Sequence, residues 1–235
     1  MIGIIGAMDA EIELISKKID NCVIKTIGNR SFYCGVLNGA NVVAVVSGIG
    51  KVNAAVTTSL LFDNFDIDYV INTGIAGGAN DVKPFDLVFG KELFYHDVDL
   101  TFIGYKYGVM PGCDKSFKTD DKLREICVNY AKKNGISYVV GNIASGDLFA
   151  SDKSCLDKLD ENINAVEMEG AAIAQVCTIF EKPFISIRMI SDILGSNEQS
   201  ATYAEYEREA SGKASLIVCE IIGKIAIDKK DNNIV

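Results

Sequence analysis

The chain has 235 residues, a length that fits one α/β domain. Hydrophobic residues make up 49% of it, enough to bury a large core without disulfides or metals. Asp and Glu number 32 against 23 Lys and Arg, and no basic cluster offsets the net charge of −9. That balance argues against a nucleic-acid polymer as partner and against a polyanionic substrate.

The first eight residues are apolar and end in Gly6-Ala7-Met8, as a buried first strand does, with Asp9 placed to cap the helix that follows. Ile12, Ile15 and Ile19 recur at helical spacing. Residues 23–47 read as strands separated by Gly28-Asn29 and by Asn38-Gly39-Ala40-Asn41, which carry turn chemistry. After Ser47-Gly48-Ile49-Gly50-Lys51, a helix is predicted to about Phe65, then a buried strand at Tyr69–Thr73. Residues 86–94 are strand-like, and residues 97–118 form a long loop of the kind that often carries function. A helix over 119–134 leads to a strand at 137–144. Residues 166–181 begin extended and turn helical. A strand at Phe184–Ile190 ends in Ser191-Asp192, and a last helix spans about 203–227. This alternation predicts a single domain over 1–227, with helices on both faces of a mixed sheet, and a frayed polar tail at 228–235. The opening segment lacks the basic flank of a signal peptide, and no apolar run approaches the ~20 residues of a membrane span, so a cytoplasmic location is expected. The seven dispersed cysteines are expected to be reduced and mostly buried.

Several apolar strands end in small or acidic residues, where open α/β sheets bind ligands. The dinucleotide and P-loop motifs fail: Gly3-x-x-Gly6 lacks the third glycine, and Val45 and Val52 break Walker A around Gly50-Lys51. The only histidine, His96, sits at a loop edge and reads as a hydrogen-bonded structural residue. One histidine and scattered cysteines do not make a zinc site, so no metal is expected. The carboxylates Glu11, Glu167, Glu169 and Asp192 remain, all close to strand ends. Glycosidic cleavage suits them: one acid protonates the leaving group while a carboxylate orients water.

The segments IGIIGAMDAEIE, SGIGKVNAA, INTGIAGG, YHDVDLTFIGYKYGVMPGC, SGDLF, AVEMEGAAIAQVC and IRMISDI occur in order over roughly residues 1–220. Together they resemble the 5′-methylthioadenosine/S-adenosylhomocysteine nucleosidases of the nucleoside phosphorylase superfamily. The resemblance implies a three-layer α/β/α sandwich around a mixed, partly barrel-like sheet, an adenine nucleoside as substrate, no cofactor, and a homodimer. It implies that Asp192 protonates adenine N7, Glu11 activates water, and Glu169 binds the ribose hydroxyls with Met168 against the sugar. Phe149 and Ala150 match positions that hold the purine, and Ile49, Tyr203 and Tyr206 match the wall around the base and the 5′ substituent. Met8, Glu167 and Ser191 join the substrate-binding set, although Glu167 also reads as structural. Ile103, Tyr105 and Pro111 match a loop that covers the partner's pocket. Arg188 is expected to pair with an active-site carboxylate. One departure stands out: Ile75, in TGIAGG, occupies a position where many family members carry a serine thought to bond the catalytic aspartate. Ser191, Ser145 or a backbone amide would have to take over.

Overall fold

The structure, a computed structural model, describes residues 1–197 and 199–231. The apolar runs become β1 (Ile2–Gly6), β4 (Ala40–Val46), β5 (Tyr69–Gly78), β6 (Leu87–Tyr95), β8 (Tyr138–Ser145), β9 (Ile163–Glu167) and β10 (Phe184–Ile193). The turn-rich region supplies β2 (Asp20–Ile27) and β3 (Arg30–Leu37), and the long loop adds the two-residue β7 (Phe117–Lys118). The helices are α1 (Asp9–Lys17), α2 (Lys51–Asn64), α3 (Asp121–Lys133), α4 (Gly170–Ile179) and α5 (Gln199–Asp231).

The sheet is mixed, as expected, and it closes on itself. β5 pairs with β10, β10 with β6, β6 with β8, β8 with β9, and β9 with the end of β5. Those five strands form a barrel, and β1, β4, β3 and β2 extend from β5 as an open wing. β5 serves both parts: its first residues pair with β1, and Gly77 and Gly78 pair with β9. Glycines at this end let the strand bend at the barrel corner.

Helices cover both faces. Ile12 and Ile15 of α1, Leu123 and Cys127 of α3, and Ala210, Ala214, Val218 and Ile222 of α5 pack with alternate residues of β10 (Ile185, Ile187, Met189) in one core. The four-residue spacing along α5 lays its small and branched side chains in one stripe. Ala54 and Leu61 of α2 and Ala171–Ala174 of α4 form the second core on the other face. Side chains alternate across a strand, so Ser186 and Arg188 of β10 point away from the first core and into the barrel.

Three local expectations change. Asp9 does not cap α1. Met8 stands at the N-cap, and Glu11 reaches back so that its Oε2 accepts the Met8 N–H at 3.1 Å. α5 begins at Gln199 and runs through Asp228, which pairs with Lys122 at 3.2 Å, into the stretch expected to fray. The rest of that tail, residues 232–235, lies outside the described residues. Of the cysteines, all free, only Cys127, Cys177 and Cys219 are buried, and Cys22 is exposed.

Candidate active site

The carboxyl ends of β1, β5, β9 and β10 meet at one cleft, about 640 Å³ counting the space open to solvent, at the strand ends where open α/β sheets bind ligands. Every residue expected to touch the substrate, except Ile103, Tyr105, Pro111 and Tyr206, lines it, joined by Ala7, Ile75, Ala76, Gly77, Leu148, Val166 and Leu194. Among the described residues no Lys or Arg lines the cleft.

Glu11 is 2% exposed, and its carboxylate is held by backbone alone. Oε2 accepts the Ala7 and Met8 N–H groups at 2.7 and 3.1 Å, and Oε1 accepts the Ile75 N–H at 3.0 Å. Burial raises its pKa, opposed by the charge of Arg188 and by those three N–H donors. Behind it, Ser215 of α5 donates to the Glu11 carbonyl at 2.7 Å and pins α1 in place.

Asp192 lies opposite Gly77, just past an irregularity in the β5–β10 pairing. The Ser191 hydroxyl is 2.6 Å from Asp192 Oδ1 and 3.3 Å from the Ala76 carbonyl. A hydroxyl has one proton, so Ser191 either donates to the carboxylate, or donates to Ala76 and accepts from the protonated acid. Gln199 Nε2 donates to Oδ2 at 3.0 Å. These two groups occupy the role left open by Ile75. Ser145 is engaged elsewhere, and the Ile75 amide serves Glu11.

Glu167 ends β9, and Glu169 stands at the N-cap of α4. Glu167 accepts from Ser145, from the Glu169 and Gly170 N–H groups at 2.8–3.0 Å, and from Arg188. Arg188 also donates to Asn72 Oδ1 at 2.8 Å and lies 4.0 Å from Glu169 Oε2. It faces Gly74 in the strand register, where an added Cβ would come within 2.3 Å of both Arg188 and Glu11. The bare backbone at that position makes room for both charged groups. Glu169 Oε1 accepts the Gly50 N–H at 2.8 Å from the start of α2. Gly50 has φ +95°, a conformation L side chains rarely adopt.

Burial raises the Glu169 pKa from 4.5 to about 8, with the Glu167 charge adding to the rise and Arg188 opposing it. The folded chain therefore binds this proton more tightly than the unfolded chain. The resulting stability is complete below about 4.5 and is lost as pH rises through about 8. Thermal melts from pH 5 to 9 should show the parent losing ground against Glu169→Gln as pH rises, and parallel curves would refute this.

The phosphorylase superfamily model matches residues 1–223. The chain is 42% identical to a 5′-methylthioadenosine/S-adenosylhomocysteine nucleosidase of Halalkalibacterium halodurans over 95% of this chain and 98% of that one. The chain belongs to this nucleosidase family. It is an enzyme of the N-glycosyl hydrolase class. The crystal structure of the Neisseria meningitidis nucleosidase in complex with methylthio-immucillin-A superimposes with a TM-score of 0.89 at 38% identity, covering 95% of this chain and 98% of that one. The Colwellia psychrerythraea nucleosidase in complex with adenine gives 0.89 and 38% over 94% of each chain.

In this member of the family, the cleft's apolar wall pairs Phe149 and Tyr203 edge to face, 5.2 Å between centroids at 85°, an arrangement aromatic rings favour. Ile49 and Phe149 are each 53% exposed, which leaves the wall open on one side. Tyr206 is not part of that wall: its ring packs on Phe85 at 4.9 Å. Ile103 and Tyr105 are exposed on the long loop beside the fully exposed Phe102, away from this chain's own cleft. His96, expected to be hydrogen-bonded, is buried, and neither ring nitrogen has a hydrogen-bond partner among the described residues. Burial lowers its pKa. Sequence reasoning missed Gln199, Asn72 and the Gly50 amide. No motif marks Gln199, Asn72 lies in the INTGIAGG segment but was read only as part of a buried strand, and only the glycine run around Gly48 and Gly50 hinted at the third.

Proposed function

We propose that the chain hydrolyses the N-glycosidic bond of 5′-methylthioadenosine, S-adenosylhomocysteine and similar 5′-substituted adenosines. The observation that carries this is the convergence of three buried carboxyl groups, Glu11, Glu169 and Asp192, on one cleft with an aromatic wall and, among the described residues, no cation in its lining. Adenine is a poor leaving group as an anion. Asp192 gives its proton to N7 as the C1′–N9 bond breaks, and the bonding electron pair goes to the purine, which leaves neutral. The sugar passes through an oxocarbenium-like state stabilised by nearby negative potential. Water attacks C1′ and Glu11 takes its proton; Glu11 then releases that proton to solvent, and solvent returns one to Asp192. Glu169 accepts from the ribose hydroxyls, Met168 packs on the sugar, and Phe149 with the Ala150 backbone holds the base.

Water rather than phosphate as nucleophile is supported by the cation-free lining and by the placement of Arg188 among Asn72 and Glu167. A bound phosphate calls for arginine and open amides, and the amides at Ala7, Met8 and Ile75 already serve Glu11. Adenine release should proceed at full rate in phosphate-free buffer. Strict dependence on added phosphate would overturn the hydrolytic reading.

The reading includes a homodimer in which the exposed Ile103–Pro111 loop covers the partner's 5′ pocket, and a cytoplasmic location. No described helix is long and apolar enough to cross a membrane. Sedimentation equilibrium should return twice the chain mass, and a monomer at assay concentration would contradict the shared pocket.

A further inference from the structure

Gln199, the first residue of α5, belongs to no motif, yet its buried amide joins three separate segments. Nε2 donates to Asp192 Oδ2 at 3.0 Å and to the Ala150 carbonyl at 2.8 Å, and Oε1 accepts the Gly195 N–H at 3.0 Å. These partners allow one orientation of the amide. Exchanging its oxygen and nitrogen would set oxygen against a carboxylate and a carbonyl, and NH₂ against N–H. The neighbouring strand offers no substitute side-chain donor, because the β5 residues in register with Met189, Ile190 and Asp192 are Ile75, Ala76 and Gly77. Ser191 reaches only Oδ1. The second carboxyl oxygen is therefore held from α5 alone.

We infer that Gln199 is the positioning residue of the acid, acting through Asp192 and tying it to the Ala150 segment that walls the cleft. This rests on the reading of Asp192 as the acid. The terminal torsion of an aspartate is broad and intrinsically soft. With Oδ1 held by Ser191 and Oδ2 by Gln199, the carboxyl plane is set. With Gln199 gone, the plane turns about the Ser191 contact, and proton delivery to the base loses its alignment. The same amide holds the Ala150 carbonyl, so the acid and the base-binding wall keep a constant relation.

The test compares two leaving groups. Adenine in 5′-methylthioadenosine needs a proton, whereas nitrophenolate in p-nitrophenyl 5-methylthioriboside departs as an anion. Gln199→Met keeps the volume and removes all three bonds. Its kcat on methylthioadenosine should fall about 10–100-fold with KM within about threefold, while kcat on the nitrophenyl riboside stays within about threefold. Gln199→Glu keeps an acceptor for Gly195 but has no amide donor for Asp192, and should show the same split should the Met variant fold poorly. Equal losses on both substrates, or unchanged kcat on methylthioadenosine, would overturn the inference. Asp192→Asn on the same pair separates the two levels. If it discriminates between leaving groups and the Gln199 variants do not, only the role of Gln199 falls; if it does not discriminate, the acid assignment falls with it.

Discussion

Asp192→Asn should lose adenine release by about 10²–10⁴-fold, the usual worth of a positioned general acid, while adenine binding stays within about threefold of the parent. The substitution is isosteric. Its amide can keep an oxygen toward Gln199 Nε2 and a nitrogen toward Ser191 Oγ, the two groups that hold the carboxyl now. The side chain keeps its size beside Gly77, its partner in the strand register, so the pocket should stay formed. What disappears is the transferable proton at N7. A loss in kcat without a matching rise in KM is the signature of an interaction made in the transition state. Steady-state kinetics with methylthioadenosine and calorimetric titration with adenine decide it. Turnover equal to the parent's would refute the assigned role.

Arg188→Leu should produce the largest loss of stability. Arg188 is 1% exposed and donates to Asn72 Oδ1 at 2.8 Å and to Glu167 within the barrel. Removing it leaves Glu167 and Glu169 buried without their cation, and breaking a buried pair from one side costs about 3–5 kcal/mol. For a chain of this size each kcal/mol moves Tm by about 2–4 °C, so a drop of about 10 °C is expected by scanning calorimetry. Glu169 also loses the charge that opposes the rise of its pKa, so methylthioadenosine KM should increase as well. Adding Glu167→Gln removes the stranded charge and should restore part of the loss, a coupling that a double-mutant cycle measures. A loss below about 1 kcal/mol, as for a surface ion pair, would show that the barrel interior is more solvated than its burial indicates.

Most strands were legible because each is a run of apolar residues bounded by glycine, turn residues or acids; the two-residue β7 inside the stretch read as loop, and the start of β9 at Ile163 ahead of residue 166, were not. The ends of those runs pointed to Glu11, Glu169 and Asp192 as neighbours of a site. The start of α5 was not legible: the apolar stripe that marks a helix begins at Ala210, whereas Gln199 opens the helix through polar contacts that pattern does not register. The same limit applies to Asp9 and Glu11. Both are acidic residues near a helix start, and only the path of the chain back toward Ala7 and Met8 makes Glu11 the one that accepts their N–H groups. His96 was read as a hydrogen-bonded structural residue at a loop edge, but it is buried and its ring nitrogens lack partners among the described residues, with Gly146 and Asp97 close around the ring.

The order of seven motif segments and the identity of the carboxylates at strand ends are properties of the chain itself, because residue type and local periodicity carry them. Barrel closure is of another kind. It depends on β5 and β10 meeting in one register, which brings Asn72 and Ser186, 114 positions apart, to 3.0 Å. That register places Arg188 opposite a glycine and within reach of Glu167, and sets Asp192 beside a strand with no side-chain donor to give it. Whether Ser191, Ser145 or a backbone amide would replace the missing serine at position 75 was therefore open from sequence. Hydrogen bonds between side chains are short and directional, so only the folded positions of β10 and α5 decide it: Ser191 holds one oxygen of Asp192, and Gln199 holds the other.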